Sequence, residues 1–121
     1  MKPTITANAK CRQYVQARKD FEGSHLYART LPPTDNCLTT RYVVFSYGTH
    51  FPLFIAETGA DGVTHWYENA NRYSVTTSKH RSQSHPLCDT MPLTTDAMRC
   101  LVTYGISGVA VRRGMPESEA V

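Results

Sequence analysis

The chain has 121 residues, 40% of them hydrophobic and 19% charged, with a net charge of +3. That is the size of one domain with its own core and the composition of a folded chain, which excludes an intrinsically disordered one. The mild positive charge excludes an acidic mimic of DNA and falls short of a dedicated DNA-binding domain; the short apolar runs exclude a membrane-spanning helix.

Residues 7–19 carry the first helical pattern. Ala7, Cys11, Tyr14 and Val15 share one face, and Thr6 or Asn8 is placed to cap it. The opposite face holds Arg12, Gln16 and Lys19, a basic stripe that reads as a solvated face or a partner-binding one. Phe21 to Ser24 turns the chain, His25 to Leu31 alternates as a strand does, and Pro32 to Asn36 is a loop.

The middle of the chain is dense in aromatic and β-branched residues. Arg41 to Tyr47, Phe51 to Glu57 and Val63 to Glu68 read as strands, separated by Gly48-Thr49-His50 and by Thr58 to Gly62. Tyr73 to Thr77 reads as a further strand after the Asn69-Ala70-Asn71 turn. The next segment, 78–86, has neither an apolar nor an acidic side chain before Pro86 and reads as a basic, hydroxyl-rich loop. A second helix spans about 94–104, capped by Thr94 or Thr95 and stopped by Gly105. Val109-Ala110-Val111 suits a short strand, and 114–121 reads as a frayed tail.

The expected architecture is therefore α+β. It is a single domain over 1–121, with an antiparallel meander of four to five short strands within 25–77, an N-terminal helix and a C-terminal helix. The N-terminal stretch has no apolar signal core, so a cytoplasmic location is expected. Cys11, Cys37, Cys88 and Cys100 form no CxxC pair and read as reduced thiols.

Chemistry has to come from side chains that the fold brings together. His80, His85 and Cys88, with His50 and His65, are of metal-ligand type, but their spacing fits no standard zinc motif and no metal or cofactor is expected. Ser46, Thr76, Thr77 and Ser78 beside His50 and His80 allow a histidine base, yet no nucleophile elbow or acidic pair directs one, so no catalytic residue is assigned. Tyr42, Tyr47, Trp66, Tyr67 and Tyr73 interleave with Arg41, Arg72, Lys79 and Arg81. Aromatic rings beside cations suit a nucleic-acid surface and equally a protein interface. The candidate binding residues are Arg72, Tyr73, Lys79, His80, Arg81, Gln83, His85, Trp66, Arg12 and Lys19. Trp66, His50 and His80 are expected in one polar cluster, either a closed network or a pocket.

Three strings carry a resemblance. They are Tyr42-Val43-Val44-Phe45-Ser46-Tyr47-Gly48-Thr49-His50-Phe51-Pro52-Leu53, Trp66-Tyr67-Glu68-Asn69, and Tyr73-Ser74-Val75-Thr76-Thr77-Ser78-Lys79-His80. Together with the lead-in Phe21 to Leu26, they resemble a pattern in small proteins of phages and mobile genetic elements, over roughly 21–86. The resemblance brings no catalytic residue with it. It implies an anti-defence protein, of the anti-CRISPR class, acting in the host cytoplasm on a CRISPR effector or another defence protein without catalysis. A small nucleic-acid-binding module is the alternative. A second alternative is a hydrolase or transferase on nucleotides or nucleic acid with His50 or His80 as base.

Overall fold

The computed structural model describes residues 4–35, 37–48, 51–71 and 75–112, with backbone alone at 75–76 and 106–112. Its centre is two strands without a solvent face. Strand β4 (Thr40–Ser46) is buried from Arg41 onward, and β5 (Pro52–Thr58) is buried through Glu57. A strand covered on both faces needs apolar residues at consecutive positions, which is why Tyr42-Val43-Val44-Phe45 and Leu53-Phe54-Ile55-Ala56 do not alternate with polar ones.

The other strands flank this pair in sequence order. They are β1 (Thr4–Ile5), β2 (Phe21–Glu22), β3 (Leu26–Leu31), β6 (Thr64–Asn69) and β7 (Met91–Leu93). The sheet runs β1-β2-β3-β4-β5-β6-β7. It is antiparallel in the middle and parallel at both rims, where β1 pairs with β2 and β7 with β6. This corrects the expected meander of four to five antiparallel strands to a mixed seven-stranded sheet among the described residues. The rim strands β1, β2 and β7 have two or three residues each, too few to carry a periodicity.

The helices differ from expectation as well. Of the helix expected over 7–19, one 3-10 turn (Asn8–Lys10) and the five-residue α1 (Arg12–Gln16) form, and Arg18 in the left-handed region (φ 53°) turns the chain away. The strand expected at Tyr73 to Thr77 and the loop at 78–86 give way to helix α2 (Val75–Ser84). Residues 72–74 lie outside the described ones. The last helix, α3 (Thr95–Arg112), passes the expected stop and takes in 109–111, which are not a strand. Gly105 kinks it with φ 79° instead of ending it. A side chain there would meet Glu57 Oε2 at 2.7 Å and Cys37 Sγ at 3.1 Å, so both the backbone angle and the space call for glycine. The expected frayed tail, 114–121, lies outside the described residues.

Helices cover both faces of the sheet. On one, Cys11 and Val15 pack on Tyr42, Val44, Phe54 and Ala56. On the other, Ala97, Met98 and Leu101 of α3 pack on Val43, Phe45, Ile55 and Tyr67. Arg41 is buried at the kink, donating to the carbonyls of Val102, Pro32 and Thr39, so its charge meets the end of the first half of α3. No described helix is long and apolar enough to cross a membrane.

Candidate functional site

Helix α2 holds most of the candidate side chains and owes its place to polar contacts. Thr77, His80 and Ser84 recur at helical spacing and turn inward, each buried. His80 Nδ1 lies 2.8 Å from Ser46 Oγ, and Ser84 donates to the His80 carbonyl at 2.7 Å. Arg81, one residue on, donates to the carbonyls of Asn69 and Asn71 and lies 3.8 Å from Glu68.

Glu68 is the hub of a second network. Its Oε1 accepts from Thr90 at 2.8 Å and lies 3.6 Å from His85 Nε2. His85 Nδ1 accepts the Leu87 N–H at 2.9 Å, so the ring proton of the neutral imidazole is on Nε2 and points at Glu68. The same ring meets Phe54 edge-on, with centroids 5.2 Å apart.

The carbonyls at the end of α2 are taken by the N-terminal segment. Arg12 donates to the Ser82 and His85 carbonyls, Gln16 to that of Pro86, and the Cys11 thiol to that of Gln83. Arg12 thus serves as a cationic helix cap. Burial pushes the Cys11 thiol up to about 11, with its own backbone bond and Arg12 pulling the other way.

Two ends of this layer remain distinct. Trp66 is half-buried and meets Tyr42 edge-on at 6.3 Å, while His80 is held at Ser46. Tyr42 and Ser46 are four residues apart on β4, about 13 Å. Trp66 and His80 therefore do not share the expected cluster. His50, Arg72 and Tyr73 lie outside the described residues. Lys79 and Lys19 are exposed, and Gln83 is half-buried.

At the His80 end, Ser46 is 1% and His80 3% exposed, a closed pair. Burial lowers the His80 pKa, helped by His25 and Lys79, and keeps the ring neutral. No described carboxylate hydrogen-bonds the imidazole, so the pair lacks the orienting acid of a catalytic triad among the described residues. Above it, Tyr47 is 51% exposed. Its ring stacks on His25 at 4.9 Å and lies 5.5 Å from His80, and its N–H donates to the His25 carbonyl at 2.8 Å. Both Tyr47 (φ 68°) and His25 (φ 56°) are in the left-handed region.

At the Trp66 end a groove of about 620 Å³ opens between residues 64–67 of β6 and residues 88–91 leading into β7, with Glu57 at one side. Exposed Met91, in register with Tyr67, supplies apolar wall on the α3 face, Trp66 lies on the other face against Tyr42, and Asp89 supplies charge. Burial raises the Cys88 thiol pKa, with Asp89 adding to it, so the exposed thiol is held in its protonated form. Among the described residues no three His, Cys, Asp or Glu side chains are placed to share a metal ion.

Sequence reasoning singled out His80, Arg81, His85 and Trp66, and counted Ser46 and Tyr47 among the candidate hydroxyls and rings, but it did not pair Ser46 with His80 or Tyr47 with His25, nor place Glu68 between Arg81, His85 and Thr90. The available signal was the polar stripe Thr77, His80, Arg81 and Ser84 at helical spacing. No protein-family model, curated protein or solved structure matches the chain.

Proposed function

We propose that the protein is a small non-catalytic inhibitor that binds a component of a host defence complex. A CRISPR effector is the partner that the resemblance to phage and mobile-element proteins implies, and the host cytoplasm is the place of action. The working surface is the Tyr47–His25 stack with neighbouring Lys79. One observation carries the reading: two exposed rings are stacked on each other, and both hold left-handed backbone that non-glycine residues rarely adopt. Such conformations cost about 1–3 kcal/mol each and persist where surrounding structure enforces them, often at binding sites. A rigid tyrosine beside a cation is also the usual anchor of a protein interface.

The polar contacts of α2 support binding over catalysis. Arg12, Arg81 and His85 are occupied within the molecule, which leaves the rings, Lys79 and Lys19 for a partner. Affinity capture from cells carrying a CRISPR system tests this. Wild-type protein should recover an effector component, and Tyr47→Ala should weaken the interaction by about thirtyfold at an unchanged thermal midpoint. Recovery of no effector component, or full retention by Tyr47→Ala and Lys79→Ala, sinks the reading. Capture that is lost on nuclease treatment favours the nucleic-acid alternative.

A further inference from the structure

The groove beside β6 has an unfinished sheet edge as one wall. Strand β7 pairs with β6 only from Tyr67 to Asn69, leaving Thr64 to Trp66 beyond its start. The Ala70 N–H donates to the Leu93 carbonyl of β7, so Ala70 faces β7. Main-chain direction alternates along a strand, so Glu68, Trp66 and Thr64 face the same side. The hairpin agrees: Val63, of the other parity, gives its carbonyl to Gly59 on the β5 side. With Met91 in register with Tyr67, the Met91 N–H takes the Trp66 carbonyl. The Trp66 N–H and both main-chain groups of Thr64 then point into the groove, and no hydrogen bond from a described residue outside the sheet reaches them.

The neighbouring edge is treated differently. On β7, Met91 and Leu93 face β6 and Pro92 faces outward, where its missing N–H blocks further pairing. The sheet is closed to addition at Pro92 and open at Thr64 to Trp66.

We propose that this notch is a peptide-binding site that takes an extended segment of a partner protein by strand addition. The segment is apolar at the position beside Trp66 and carries a lysine or arginine on its other face, toward Asp89 and the Met91 side of the sheet. Three main-chain groups fix the extended backbone, as in other edge-strand recognition. Charge complementarity sets the basic residue: Asp89 is exposed in the lining, which contains no lysine or arginine, while the Glu57 carboxylate is taken by Thr39 and the Arg18 guanidinium is held on the Thr64 hydroxyl, on the other face of the sheet. A second copy of this chain is a poorer occupant, because two notches meeting edge to edge bring two Asp89 carboxylates together. The inference does not depend on the Tyr47 surface, and either can fail alone.

The test uses the full chain and a capped hexapeptide alternating valine and lysine. Trp66 is the only tryptophan, so its fluorescence reports on the groove directly. In the free protein the Thr64 and Trp66 amide protons should exchange fast. Adding the peptide should shift both amide resonances, slow their exchange and change the fluorescence. Replacing lysine by glutamate, or Asp89→Lys with the original peptide, should weaken binding by about threefold or more. N-methylation of alternate peptide amides should abolish it. Three results overturn the proposal: no shift of either amide at millimolar peptide, equal binding of the N-methylated peptide, or slow exchange in the free protein together with a dimeric sedimentation mass.

Discussion

His80 links the interior to pH. Its folded-state pKa is lowered by burial, with His25 and Lys79 adding repulsion, while the unfolded ring titrates near 6.5. The unfolded chain therefore takes up this proton first as pH falls. Stability is complete above about pH 6.5 and declines as the pH drops from there toward the lower folded value. Thermal midpoints measured from pH 8 to pH 5 should fall across that window in the wild type, and His80→Gln should flatten part of the slope. An unchanged slope in His80→Gln would mean that other groups dominate. The burial of Ser46 against this ring was not legible in the sequence, where Ser46 is one hydroxyl among many. Legibility failed here because a hydrogen bond between residues 34 positions apart leaves no local pattern.

At the scale of elements, α2 is the instructive case. The β-branched and aromatic density of Arg41 to Glu57 marks the positions of β4 and β5, because strands covered on both faces must be apolar, and β6 is marked only by Trp66 and Tyr67. Helix α2 offers no such sign. Its buried positions among the described side chains are Thr77, His80 and Ser84, which show no apolar periodicity, so the segment reads as a loop. Gly105 misleads in the opposite sense, since glycine more often ends a helix than bends one. If polar contacts hold α2, its cap should matter. Arg12→Ala removes donors to two carbonyls at the end of that helix. It should cost about 1–2 kcal/mol in denaturant unfolding, and a loss within experimental error would show that solvent replaces the cap.

For the molecule as a whole, the two faces share β4 and β5, whose side chains alternate between both cores. Neither layer can lose its contacts without exposing residues that neighbour the other. The faces should therefore unfold together. Trp66 reports on the α1 and α2 side, and Cys37, buried beside Gly105, reports on the α3 side. Denaturation followed by Trp66 fluorescence and by labelling of Cys37 should give one midpoint, as expected for a two-state domain. Two separated midpoints would show that one layer detaches first.

The polar inner face of α2 also sets how the helix responds to temperature. Lifting it from β4 hydrates hydroxyls, an imidazole and a guanidinium on the helix side of the contact. Polar hydration lowers heat capacity where apolar hydration raises it. Undocking of α2 should therefore have a smaller heat-capacity change for its area than melting of the aliphatic core beneath it. Cooling, which weakens apolar packing, weakens the polar part of such a contact less.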